Sequence, residues 1–156
     1  MENEWEETVA RLKRHLREKE GVEYSDQVIC NGLSPSHRGS IEKPQGYGEV
    51  SRSCGDGIIF FLQIHQDKII RARFFSVGCL AIVASGNAAA VMAEGKDVYE
   101  AFDIDAPAIS AALGGLPAKE DHCADLACEV LRQALRDYLA YRHEPWKRVY
   151  HRKSRV

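Results

Sequence analysis

The sequence predicts an α+β domain in which a β-hairpin is followed by several helices, and three observations carry that expectation. Two β-branched and aromatic stretches, IIFFLQI and KIIRARFFSV, flank the short polar break HQD. An apolar, proline-free segment of small residues, LAIVASGNAAAVMAE, follows and ends at Gly95. Nearer the C-terminus, Leu126, Val130, Leu131, Ala134, Leu135 and Leu139 form one helical apolar stripe. A chain of 156 residues that is 45% hydrophobic is large enough to build one compact core from these elements.

Taken in order, Trp5, Val9, Leu12 and Leu16 recur at helical spacing among charges, and Gly21 follows as a stop, so residues 1–20 read as an amphipathic helix. Residues 30–57, which include LSPSHRGSIEKPQGYGE, are rich in Gly, Ser and Pro and read as an irregular surface loop. The hairpin comes next, then a buried helix over residues 80–94 that lies against the sheet. Residues 97–102 and 105–113 read as two short helices, the second capped by Asp105 with Pro107 in its first turn. After the loop GGLPAKED, residues 123–141 form the longest C-terminal helix. The tail carries Lys147, Arg148, Arg152, Lys153 and Arg155 around Trp146 and Tyr150, a composition that suits a solvated end. There are no repeats and no domain linker.

Charge excludes some classes of function. With 21 Lys and Arg against 23 Asp and Glu, the net charge of −2 does not point to nucleic acid or a membrane surface, so any partner is recognised locally. The start, MENEWEETVARLKRHLREKEG, is too charged for a secretory signal or a membrane span, and too acidic for a mitochondrial transit peptide. A cytoplasmic location follows as an expectation, with Cys30, Cys54, Cys79, Cys123 and Cys128 as reduced thiols.

Cys54 precedes the hairpin, Cys79 opens the buried helix and Cys123 opens the last helix, and element ends are where a rigid frame presents ligands. Asp56, in the string Cys54-Gly55-Asp56-Gly57, and His122, directly before Cys123, add a carboxylate and an imidazole. A thiolate-rich set selects zinc or iron–sulfur clusters over magnesium or calcium. Helix N-termini favour the thiolate at Cys79 and Cys123, which equally suits a nucleophile. Each fragment alone has a plainer reading: a cysteine at a helix start as a small buried apolar group, Asp56 as a turn residue, His122 and His65 as exposed side chains. No Cys-x-x-Cys pair decides the matter.

The strings CGDGIIFFLQI, RARFFSVGCLAIVASGNAAAVMAEGK and LPAKEDHCADLACEVLRQAL resemble, in order and spacing, the IscU/NifU family of iron–sulfur cluster assembly scaffolds over residues 25–140. The resemblance implies an antiparallel sheet of about three strands under several helices, with the first strand near residues 49–53. It implies a site of Cys54, Asp56, Cys79, His122 and Cys123 that holds a transient cluster, a two-iron (2Fe-2S) species by preference. It also implies a carrier rather than an enzyme, fed by a cysteine desulfurase, delivering to apo iron–sulfur acceptor proteins, and working as a monomer or weak homo-oligomer. Cys123 is the sulfur (persulfide) acceptor on this reading, because it adjoins the histidine and the GGLPAKED loop. Residues 1–24 then form an N-terminal helix, 25–141 the scaffold domain and 142–156 a basic tail. Cys30 and Cys128 match no ligand of the family and read as packing residues.

The chain departs from the family where bacterial relatives carry LPPVK, the segment recognised by a dedicated chaperone, since residues 116–120 read LPAKE. Chaperone-assisted release is therefore not expected. Among rivals, a zinc protein would use the same Cys, His and Asp groups around one ion. A cysteine-nucleophile enzyme would need His122 beside Cys123, yet adjacent helical residues diverge by about 100°. A permanent electron carrier is disfavoured by the aspartate, a harder and weaker partner for iron–sulfur chemistry than a fourth thiolate.

Overall fold

The computed structural model describes residues 2–53 and 55–147. Its frame is the expected hairpin, β2 (Gly57–His65) and β3 (Lys68–Val77), preceded by β1 (Gly46–Ser51). The three strands form one antiparallel sheet in the order β1-β2-β3, with Gly57 opposite both Ser51 and Val77. The two-residue turn places Gln66 and Asp67 at φ 51° and 61°, the left-handed pair that matches the twist of a tight hairpin.

Around the sheet run α1 (Glu2–Glu20), α2 (Asp26–Leu33), α3 (Leu80–Ala93), α4 (Val98–Ala101), α5 (Ala106–Ala112) and α6 (Asp121–Tyr141), with a 3₁₀ turn at Ala118–Glu120. Alternation in β2 puts Ile58, Phe60, Leu62 and Ile64 in the core. There α6 covers β1 and β2 while α3 covers β3. Nearly every side of α3 is buried, because α2, α5 and α6 enclose the faces the sheet leaves open. Its small residues allow the approach: a Cβ at Gly86 would lie 2.8 Å from the Phe74 ring. Asp97 and Asp105 cap α4 and α5 through their carboxylates, the latter cap as expected from sequence.

Two expectations need correction. The stretch 30–57 is not one irregular loop, since α2 extends to Leu33 and β1 occupies Gly46–Ser51, which also moves the first strand from 49–53. The cause is glycine. A Cβ on Gly48 would overlap the Val130 carbonyl oxygen of α6, and one on Gly46 would lie 2.7 Å from that of Ala134, so β1 rests backbone to backbone on the long helix. Residues 34–45 are irregular but anchored: His37 Nε2 meets Glu94 Oε2 at 2.6 Å, and the His37 N–H donates to Asn87 Oδ1 at 2.9 Å. Of the basic tail, Arg148, Tyr150, Arg152, Lys153 and Arg155 lie outside the described residues.

Candidate metal centre

The hairpin register assembles the site. Because Gly57 pairs with Val77, the chain entering β2 and the chain leaving β3 run side by side, which sets Asp56 beside Gly78 and Cys79. Gly78 has φ 143°, and a Cβ there would lie 2.5 Å from Asp56 Oδ1, so glycine is required both for the backbone angle and for the carboxylate. Cys79 is the exposed N-cap of α3, with its sulfur facing the N–H groups of the first helical turn. Cys123, in the first turn of α6, is fully buried and brings its Sγ to 3.9 Å from that of Cys79. His122 Nε2 lies 3.7 Å from Cys123 Sγ and 3.6 Å from Asp56 Oδ2.

Four of the five predicted donors, Asp56, Cys79, His122 and Cys123, thus converge at the open end of the hairpin. Cys54 lies outside the described residues. The angular objection to a His122–Cys123 contact is overturned: the 3.7 Å separation shows that the flexible imidazole arm spans the divergence of adjacent helical positions. Cys128 is buried and donates to the Ile104 carbonyl at 3.5 Å, Cys30 is half-buried, and His65 is exposed at the end of β2.

One further donor belongs to the cluster. Glu120 Oε2 accepts from Cys79 Sγ at 3.7 Å, and its Oε1 accepts from the Tyr24 hydroxyl at 2.6 Å. Among the described residues, the donor atoms of Cys79, Glu120 and Cys123 lie within 4.8 Å of one another. Sequence alone reads Glu120 as part of the solvated run Lys-Glu-Asp, and its partner Tyr24 is 96 residues away, so no local signal could have singled it out.

The two thiols are driven apart in acidity. The Cys123 S–H donating to Cys79 sulfur, helped by the backbone N–H groups of Ile82 and Ala81, brings the Cys79 thiol down to about 7. Cys123 moves the opposite way, because its proton is held by that bond, its sulfur is buried, and Cys79, Glu120 and Asp56 surround it with negative charge. Burial and the bond to Glu120 raise Tyr24 likewise, so its hydroxyl stays neutral and donates. Two thiols, two carboxylates and an imidazole form a donor set that suits a thiophilic transition metal.

Comparison with known proteins agrees with this architecture. The family described as NifU-like N terminal domain matches residues 23–145. An iron-sulfur cluster assembly scaffold protein IscU of Archaeoglobus fulgidus is 38% identical over 116 residues, covering 74% of this chain and 76% of the relative. The IscU scaffold protein of Aquifex aeolicus is 32% identical over 120 residues, covering 75% and 76%. Among solved structures, a protein described as a scaffold for the SUF system of Fervidobacterium islandicum superposes with a TM-score of 0.62 at 22% identity, covering 72% of this chain and 96% of that one. The N-terminal part of a NifU-like protein from Brucella abortus gives the same TM-score, 0.62, at 12% identity, over 74% and 94%. At these identities the structural likeness speaks for the fold.

Proposed function

The chain belongs to the IscU/NifU family, and from that premise we propose that it is a scaffold on which an iron–sulfur cluster is built and then passed to apoproteins. The observation that carries the reading is the convergence of Cys79, Cys123, His122 and Asp56 at one end of the sheet, with two sulfurs 3.9 Å apart. Residues 25–141 form the scaffold unit, and Cys54, two residues before Asp56 in the sequence, supplies the third thiolate. A carboxylate among thiolates keeps the cargo exchangeable, as a carrier requires. The cargo is a two-iron cluster, and no substrate is turned over by the protein itself.

Sulfur comes from a cysteine desulfurase. Cys123 accepts it as follows: its thiolate attacks the outer sulfur of the donor's persulfide, a new S–S bond forms on Cys123, and the donor's cysteine leaves as thiolate. Since Cys123 is buried, the adjoining loop 114–121 opens for this step and exposes the sulfur to the donor. A dedicated chaperone has no LPPVK segment to grip, and release relies on the labile ligand set.

The test is anaerobic reconstitution with ferrous iron, cysteine and a desulfurase, followed by visible absorption and by transfer to apo-ferredoxin. A labile cluster that forms, moves to the acceptor, and fails to form without Cys54, Cys79 or Cys123 supports the scaffold. Uptake of zinc alone, with no cluster under any condition, would replace it with the zinc-protein reading.

A further inference from the structure

We propose that Glu120 is a metal-binding residue of this chain, forming with Cys79 and Cys123 a three-donor pocket for a single divalent transition-metal ion. Tyr24 acts as the positioning residue that holds its carboxylate in the binding pose. The inference deepens the scaffold reading and rests on it for the use made of the ion, as a first foothold before cluster assembly.

The spacing already has the dimensions of a metal site. Bonds of about 2.3 Å to sulfur and about 2.0–2.2 Å to oxygen, at tetrahedral angles, set two sulfurs about 3.8 Å apart and a sulfur and an oxygen about 3.5–3.7 Å apart. Here the sulfurs are 3.9 Å apart, and Cys79 Sγ is 3.7 Å from Glu120 Oε2. For these two pairs an ion would change the separation by only about 0.1–0.2 Å, and the Glu120–Cys123 pair lies within 4.8 Å. His122 Nε2 lies 3.7 Å from Cys123 Sγ and 3.6 Å from Asp56, next to this three-donor group.

The carboxylate is aimed, not merely nearby. Tyr24 is 5% exposed, and its hydroxyl, which can only donate to a carboxylate, occupies Oε1 and turns Oε2 toward the thiols. A ligand oriented by an outer hydrogen bond is the usual construction of a protein metal site. The same two chain segments are tied a second time, by Ser25 Oγ donating to the Leu113 carbonyl, while a Cβ on Gly114 would lie 2.8 Å from Gln27 Oε1. The segment that carries Glu120 is thus tied to the start of α2 at more than one point, and Glu120 itself stands at the junction of the 3₁₀ turn and α6.

The experiment titrates metal-free protein with Co²⁺ and then competes it with Zn²⁺ against a chelator, for wild type, Glu120→Gln and Tyr24→Phe. Glu120→Gln keeps shape and loses the anionic oxygen; zinc affinity falls about 10- to 100-fold, and the cobalt d–d bands shift while thiolate-to-cobalt charge transfer persists. Tyr24→Phe weakens zinc about tenfold and leaves the d–d bands in place, because the ligand is retained but loosened. Melting of the metal-free variants checks that both fold. Wild-type zinc affinity together with an unshifted cobalt spectrum in Glu120→Gln overturns the proposal. Iron–sulfide reconstitution of the wild type separates the two readings: zinc binding that depends on Glu120 in a protein that never builds a cluster would leave the metal pocket standing and remove the scaffold.

Discussion

The two ends of the β2–β3 hairpin each set a carboxylate against α6, and they use it in opposite ways. At the closed end, Asp67 accepts from the Tyr138 hydroxyl at 2.6 Å and from the Arg142 guanidinium at 3.3 and 3.4 Å, while its own carbonyl receives the Val98 N–H at 2.8 Å. At the open end, Asp56 faces an imidazole 3.6 Å away and a glycine that leaves it room, and that imidazole in turn meets Cys123, one of a group with Cys79 and Glu120. One end spends its acceptor capacity on the protein and becomes a clamp. At the other, the thiols, the imidazole and Asp56 meet one another only at 3.6–3.9 Å, and donors engaged so loosely are available to an ion. The frame is the same; what differs is how tightly the polar groups are already engaged.

The comparison breaks most sharply at the thiols. Cys79→Ser or Cys123→Ser removes a soft donor from the open end and should lower zinc affinity by about 100-fold or more and abolish cluster retention, whereas Asp67→Asn should leave both unchanged. The two serine variants should differ in stability. Cys79 is exposed and its replacement should leave the melting curve where it was, but Cys123→Ser buries a hydroxyl and should cost about 1–3 kcal/mol in a denaturant titration. Equal losses in both variants would contradict the burial difference.

Acidity sharpens the contrast within the site. In metal-free protein, Cys79 should be alkylated with a midpoint near pH 7, the position to which the Cys123 S–H and the α3 N–H groups bring it. Cys123→Ala removes the leading cause, so the midpoint should climb toward the ordinary thiol value of about 8.5. Metal binding displaces thiol protons, so affinity should rise with pH. The sign follows from the two shifts: below about 7 both thiols must give up a proton, and above it only Cys123 must, so the slope of log affinity against pH should fall from about 2 to about 1. A constant slope through neutrality would remove the asymmetry of the pair.

A smaller effect is expected at Gly78. Alanine there meets both φ 143° and the Asp56 carboxylate 2.5 Å away, which should cost about 1–2 kcal/mol and push Asp56 off its pose. If Asp56 keeps the cluster exchangeable, Asp56→Ala should lengthen cluster lifetime, and Gly78→Ala should shift it in the same direction by less. Faster loss of cluster from either variant would count against that role for the carboxylate.

Much of this was legible in the sequence, and the failures have physical causes. The hairpin, α3, α5 and α6 announce themselves because their burial follows periods of 2 and 3.6 within a single element. β1 does not, since Gly46 and Gly48 are required by contact with the α6 backbone and glycine reads locally as loop. α2 was hidden for a related reason: it is only 8 residues long, and Gly32 stands where a Cβ would overlap Leu80, so its buried residues reduce to Val28 and Ile29. At the site, Asp56, Cys79, His122 and Cys123 were nameable through family resemblance, while Glu120 was not. Its distinguishing feature, the hydroxyl of Tyr24, exists only once residues 24 and 120 are brought together by folding.

The mildest test falls on the clamp. Tyr138→Phe keeps the ring, 8% exposed, and deletes only the hydroxyl that donates to Asp67. Arg142 remains beside the carboxylate, and water reaches its half-exposed side chain, so Asp67 is not left stranded. The loss should therefore stay near the net worth of one hydrogen bond to an anion, about 1–2 kcal/mol in denaturant unfolding. Zinc affinity and cluster lifetime should match the wild type, because nothing at the closed end contributes a donor to the open one. A change in metal binding in this variant would mean that the two ends communicate through α6, and the division between clamp and site would have to be redrawn as a single coupled unit.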